Sequence, residues 1–201
     1  MEGAEEMIKL ADVSFSYGDK VILQDLDLEI APGDRVYITG KSGIGKTTLL
    51  NIILGLQKPS EGVLDTSGVS FSAVFQEDRL LPFKSVRDNV RMFATCTEEE
   101  TDDILEGLDL FNDADRYPSS LSGGMSRRAS IARSLAHGGD VFIFDEPFNG
   151  LDEENISRAV KTIEKYTKGK TLIAVIHKSE DAEKLSLKNL SVEFCKNGKQ
   201  D

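Results

Sequence analysis

An α/β fold organised around a phosphate loop (P-loop), with a mainly parallel sheet flanked by helices, is predicted by three features of the chain. The run Gly40-Lys41-Ser42-Gly43-Ile44-Gly45-Lys46-Thr47-Thr48 fits Gly-x-x-x-x-Gly-Lys-[Ser/Thr] and stands between an apolar strand (35–39) and an apolar-rich helix (47–56). Residues 141–144 and 172–176 are wholly apolar and of strand length, the pattern of strands covered on both faces. Strands and helices alternate through the last third of the chain, as in a parallel sheet built from crossovers.

The elements follow in order. Residues 8–17 and 21–30 alternate polar with apolar, most clearly at Leu26-Asp27-Leu28-Glu29-Ile30, and read as half-buried strands of a small antiparallel β lobe. Ala31-Pro32-Gly33-Asp34 is a turn into the strand before the phosphate loop. After the first helix, residues 59–62 break the chain, and 69–75 reads as a buried strand. The stretch 76–138 reads as helical, with Ser85-Val86-Arg87-Asp88 and Thr97-Glu98-Glu99-Glu100 matching the capping-box pattern. The acidic cluster around Glu98–Glu100 is expected to stabilise a helix N-terminus and to stay solvated. Beyond it come a strand at 140–144, a helix at 153–166, a strand at 171–176, a short helix at 179–185 and a last strand at 190–195. One domain, 1–201, is expected: 1–75 with 139–201 as nucleotide-binding core and β lobe, and about 76–138 as an inserted helical subdomain.

Composition narrows the class. The 201 residues are 39% hydrophobic, enough for one sizeable core, and carry a net charge of -11. That charge opposes nonspecific binding to nucleic acid or anionic lipid, so no nucleic-acid partner is expected. No stretch reaches the roughly eighteen apolar residues a bilayer span requires, and no direct membrane insertion is expected. The acidic start lacks the basic and apolar regions of a signal peptide. Cys96 and Cys195, the only two cysteines, lie far apart and read as buried thiols of a reducing compartment. A cytoplasmic protein is expected.

The phosphate loop has a definite chemistry. Its glycines let successive amides turn inward at an anion. Lys46 can reach the β- and γ-phosphates, and the Thr47 hydroxyl can ligate Mg²⁺. Ser122, an N-cap followed by Gly123 and Gly124, offers bare amides at a helix start and reads as a second anion site. The apolar strand ending in Asp145-Glu146 puts one carboxylate where it can steer Mg²⁺ and another where it can orient or deprotonate an attacking water. Ligands of open α/β sheets sit just outside the carboxyl ends of the strands, where these motifs fall.

In this order and spacing the motifs resemble the nucleotide-binding subunit of ATP-binding-cassette (ABC) transporters over nearly the whole chain. The resemblance implies that Tyr17 in Phe15-Ser16-Tyr17-Gly18 stacks on adenine, and that Gln76 touches Mg²⁺ or water and relays to a membrane subunit. It implies that Ser122 and Gly124 of Leu121-Ser122-Gly123-Gly124-Met125 contact the γ-phosphate held by the opposite subunit. Asn149-Gly150-Leu151-Asp152 matches the D-loop, and His177 matches the switch histidine on the γ-phosphate. The expected ligands are ATP and Mg²⁺. The expected partners are a second copy, head to tail, and an integral membrane permease at the inner face of the cell membrane.

Three residues depart from the family pattern. Met125 stands for glutamine, Gly150 for alanine, where it should add local freedom, and Lys178 for an acid. The β lobe is expected to be trimmed and the chain to lack a regulatory domain. The segment 75–90 is similar to importer ATPases, notably compact ones serving small organic anions. The competing reading is a regulatory ABC-type ATPase that clamps a partner without transport, disfavoured by the single cassette and the absence of coiled coil. An isolated P-loop kinase would leave the Ser122 and Asn149 motifs without a purpose.

Overall fold

Alternating apolar side chains build the first layer. In the computed structural model, which describes residues 7–66 and 68–195, β1 (Ile8–Tyr17) and β2 (Lys20–Ile30) pair antiparallel with Ile8 opposite Ile30 and Tyr17 opposite Lys20. The expected chain ends, 1–6 and 196–201, lie outside the described residues. A third strand, β4 (Glu61–Asp65), pairs antiparallel with β1 on the side away from β2. It begins within the stretch expected to break the chain. Only Leu64 in it is partly buried, so it lacks the alternation that reveals a strand.

The second sheet is parallel and runs in the order β5 (Phe71–Val74), β6 (Val141–Asp145), β7 (Thr171–Val175), β3 (Arg35–Ile38), β8 (Lys188–Asn189). The last strand is thus two residues and precedes the expected 190–195, which carries no strand; Leu190 N–H still bonds the Tyr37 carbonyl. Both faces of β6 and β7 are buried, and successive residues divide between two cores. Val141, Ile143, Ile173 and Val175 join β1, β2 and helix α1 (Lys46–Ile53). Phe142, Phe144, Leu172 and Ala174 face the opposite way, into the core shared with the helices. Truncating a fully buried phenylalanine such as Phe144 to alanine costs roughly 3–5 kcal/mol.

The helices are α2 (Val86–Arg91), α3 (Glu98–Gly107), α4 (Gly123–His137), α5 (Glu153–Tyr166) and α6 (Ser179–Lys184). The expected helical middle is α2, α3 and α4, joined through two 3-10 turns at Phe111–Asp113 and Pro118–Ser120. Thr97 and Glu100 form a complete capping box with Glu98, Glu99 and Glu100 in the first turn of α3, while Ser85 caps α2 with its own hydroxyl. Cys96 and Cys195 are half-buried free thiols, less enclosed than expected. No helix among the described residues is long and apolar enough to cross a membrane.

Candidate functional site

The parallel register brings the motif loops to one edge. Val175 of β7 lies opposite both Asp145 of β6 and Ile38 of β3, and Val74 of β5 lies opposite Phe144. The loops that leave β3, β5, β6 and β7 carry Gly40, Gln76, Glu146 and His177 respectively. Strands that are scattered in sequence thereby deliver their functional side chains to one line.

The phosphate loop wraps the start of α1. Gly45 is the N-cap residue, with no side-chain cap and no acid in the first turn, so the positive end of the helix is left for an anion. Gly45 sits at φ 123, and a Cβ there would meet Ile22 Cγ2 at 2.4 Å and Phe194 Cδ1 at 3.3 Å. Lys46 is buried at 6% exposure and folds back into the loop, donating to the carbonyls of Gly40 at 2.7 Å and Lys41 at 2.9 Å. Two of its three donors are used, which leaves one for another oxygen.

A cleft of about 340 Å³ opens above this loop. Ser42, Gly43, Gly45, Lys46, Thr47 and Thr48 line it, together with Tyr17, Gln76 and Glu146. Gly40, Lys41 and Ile44 complete the turn behind them without lining it. Tyr17 is about half exposed, held edge-on by Phe15 at 4.9 Å and accepting a 2.7 Å hydrogen bond from Gln57 Nε2. A partly exposed aromatic face at the mouth of a phosphate cleft is suited to stacking on a planar base.

Asp145 is 4% exposed, and its Oδ2 accepts from Thr47 Oγ1 at 2.7 Å. Its other oxygen, Oδ1, is buried with no hydrogen-bond partner. Burial pushes the carboxyl above its ordinary value; the Thr47 hydroxyl opposes this, neighbouring Glu146 adds to it, and Arg127 and Lys46 oppose it in turn. A hydroxyl, an unpartnered carboxylate oxygen and the Gln76 side chain make a hard-oxygen donor set. Among the described residues no group of three or more His, Cys, Asp or Glu could hold a metal alone. A cation such as Mg²⁺, which typically binds one or two carboxylates and substrate phosphates, fits that arrangement.

Glu146 lies at φ 53, a left-handed conformation uncommon outside glycine. Its N–H donates to the Val175 carbonyl at 3.1 Å, and its carbonyl accepts from Asn149 N–H at 3.1 Å. Its Oε1 is 2.7 Å from His177 Nε2, a pairing in which the ring N–H donates to the carboxylate. His177 is half exposed and outside the lining of the cleft, yet it reaches the one carboxylate that lines it.

Ser122, Gly123 and Gly124 are not among the residues that line this cleft. Ser122 caps α4 by accepting from Met125 N–H at 3.2 Å, and a Cβ on Gly124 would rest 3.4 Å from the Gly150 carbonyl. The side chain of Met125 packs on the helical core. Gly150 takes φ 76, so glycine here serves a left-handed turn and not merely added freedom. Asp152 caps α5 by accepting from Asn155 N–H at 2.8 Å. Lys178 is the N-cap residue of α6 and makes no side-chain cap bond.

Sequence reasoning passed over Arg127. It is 3% exposed and its guanidinium reaches Phe75, Gln76, Asp78, Asp145 and Glu146. The available signal was periodicity: Arg127 stands one turn before Ile131 and two before Leu135 on the buried face of α4, where an arginine must find acceptors.

A glycine loop at a helix start, a buried carboxylate paired to its threonine, and a second carboxylate bridged to a histidine define a P-loop nucleoside-triphosphatase. A family profile described as ABC transporter matches residues 23–149. The aliphatic sulfonates import ATP-binding protein SsuB 1 of Rhodococcus jostii (strain RHA1) is 38% identical, over 89% of this chain and 76% of that protein. The glutamate transport ATP-binding protein GluA of Corynebacterium glutamicum is 33% identical, over 89% of this chain and 83% of its own length. Among eight of the curated relatives it matches, the chain spans from 48% to 83% of their length. The ATP-binding cassette MJ0796, solved as a dimer in a post-hydrolysis state bound to ADP and Pi, aligns with a TM-score of 0.77 at 28% identity, covering 89% of this chain and 91% of that one. The chain belongs to the ABC transporter family and is an ATP-binding, ATP-hydrolysing subunit.

Proposed function

We propose that two copies of this chain close head to tail on two molecules of Mg-ATP and so drive a membrane permease that imports a small organic anion. The observation that carries the reading is the pairing of Glu146 with His177 at the edge where Lys46, Thr47 and Asp145 converge, while Ser122–Gly124 lie outside that cleft. A γ-phosphate bound over Lys46 would lack donors on its open side, and the Ser122 end of α4 from a second copy has such donors to give. Closure then depends on the γ-phosphate, and hydrolysis removes the link.

In this scheme Tyr17 stacks on the base, and the amides of residues 40–48 with Lys46 take the phosphates. Thr47, Asp145 and Gln76 hold Mg²⁺, whose chemistry is to neutralise charge on the phosphates. Glu146 orients the attacking water and accepts its proton, and His177 steadies that carboxylate and the developing charge on phosphate. The whole of 1–201 acts as one unit, with about 76–138 as the lobe that meets the permease.

An apolar groove beside that lobe supports a permease partner. Leu54, Leu56, Phe71, Phe75, Leu81 and Phe93 line it, and Phe93 is 61% exposed. Contiguous exposed apolar surface of this kind marks an interaction site and gives a transport subunit somewhere to dock. Import, and a small organic anion as cargo, draw support from relatives named for aliphatic sulfonates import and for glutamate transport. The site of action would be the cytoplasmic face of the membrane.

The test is Glu146→Gln in Mg-ATP. The variant is expected to keep ATP binding, lose hydrolysis and elute as a dimer in size-exclusion chromatography. Elution as monomer only, at saturating ATP, would refute head-to-tail closure.

A further inference from the structure

We propose that Arg127 is a positioning residue for hydrolysis, and that it makes the backbone geometry of Glu146 conditional on the loop that carries Gln76. The inference rests on the proposed roles of Glu146 and Gln76 and adds a link between them. Arg127 Nη1 donates to the Phe75 carbonyl at 2.5 Å and to Asp78 Oδ1 at 3.1 Å, with the Gln76 carbonyl at 3.4 Å. Its Nη2 donates to the carbonyls of Asp145 and Glu146, both at 2.6 Å. One nitrogen serves the loop and the other serves the strand end; Nε is buried and bonds nothing.

The two ends matter because Glu146 sits at φ 53. A non-glycine residue stays in that region only where its surroundings over-determine it. Three groups do so: the Val175 carbonyl on its N–H, the Asn149 amide on its carbonyl, and the Arg127 guanidinium on the same carbonyl. Among these only Arg127 is also bonded to the 75–78 loop. Displacing that loop would withdraw the guanidinium from Phe75 and Asp78 or drag it off Glu146, because a planar fork cannot follow both. Glu146 therefore holds its water-orienting pose only while the loop is seated.

Arg128 supplies the control. It is a buried arginine on the same helix, but it donates to the carbonyls of Leu108 at 2.6 Å and Asp109 at 2.9 Å, away from the strand ends. A merely structural role predicts that the two arginines behave alike.

The experiment compares Arg127→Lys and Arg128→Lys in the full chain with wild type, reading kcat and KM for ATP together with the melting temperature. A lysine offers one compact ammonium and can serve only one end of the bridge. Arg127→Lys is expected to lower kcat roughly a hundredfold while KM changes by no more than about twofold, as for a misplaced catalytic group. Arg128→Lys is expected to lower the melting temperature at near wild-type kcat. Wild-type kcat in Arg127→Lys, or an equal loss of kcat in both variants, would overturn the proposal. Should Arg127→Lys not fold, Asp78→Asn takes its place, since Asp78 is partly exposed and weakens the loop end alone. A fall in its kcat of about tenfold at unchanged KM supports the link, and an unchanged kcat overturns it. A wild type unable to hydrolyse ATP would instead sink the reading on which this one rests.

Discussion

His177 Nε2 and Glu146 Oε1 stand 2.7 Å apart although the residues are 31 positions apart in the chain. The contact exists because β6 and β7 pair in parallel, with Asp145 opposite Val175 and each functional residue one or two positions beyond. His177→Ala leaves the phosphate loop untouched. We expect ATP affinity to hold while turnover falls by roughly a hundredfold, the lower range for loss of a positioned acid–base partner. Phosphate release measured beside fluorescent-nucleotide binding separates the two; equal turnover would remove His177 from the reaction.

Lys46 is a loop-former as well as the proposed phosphate ligand. Its ammonium already holds the carbonyls of Gly40 and Lys41, so Lys46→Ala removes a charge and unties the turn together. A charge-assisted hydrogen bond is worth about 1.5–3 kcal/mol, and ATP affinity should fall at least tenfold and as much as about a hundredfold. Calorimetric titration gives the number directly, and near-normal affinity would contradict the assignment.

The buried Asp145 carboxyl sets a pH dependence whose sign can be worked out. An unburied aspartate titrates near 3.8, and burial raises this one above it in the folded state. The native chain therefore takes up that proton before the unfolded chain does. Above the raised value the charged group detracts from stability; the penalty fades as pH falls through the raised value and is gone below 3.8. Mg²⁺ responds in the opposite sense, because a protonated carboxyl is a poor ligand. The Mg²⁺ concentration for half-maximal turnover should climb as pH is lowered toward that window. Asp145→Asn should keep or raise the melting temperature of the nucleotide-free chain while abolishing turnover, and a variant that still turns over at the wild-type rate would exclude the carboxylate.

The apolar groove beside α4 makes a separable prediction. Phe93→Glu places a charge on an exposed ring position, where stability effects stay within about 0.5 kcal/mol. Basal ATP hydrolysis should persist while co-purification with the membrane partner is lost. Undiminished co-purification would move the docking surface elsewhere.

How much could be read beforehand depended on whether the signal was local. The glycines around Lys46, the acids at 145 and 146 and the capping residues Thr97 and Ser122 act within a few positions of themselves, and each reads straight from the chain. The two-sided burial of β6 and β7 was visible for the same reason, as an unbroken apolar run. β4 was hidden because its residues are mostly exposed and its evidence is the partner, β1. The last strand was displaced because two residues carry no period. Arg127 escaped because its meaning lies in carbonyls 18 to 52 positions away, which no motif records.

Position 45 is closed to a side chain by two unrelated obstacles. One is a neighbour, the Ile22 methyl that would lie 2.4 Å from any added carbon. The other is torsional, since φ 123 disfavours an L-residue however much room surrounds it. Shaving Ile22 down to alanine would lift only the first. The antiparallel lobe can thus change its packing over generations without ever freeing the nucleotide loop to acquire bulk there.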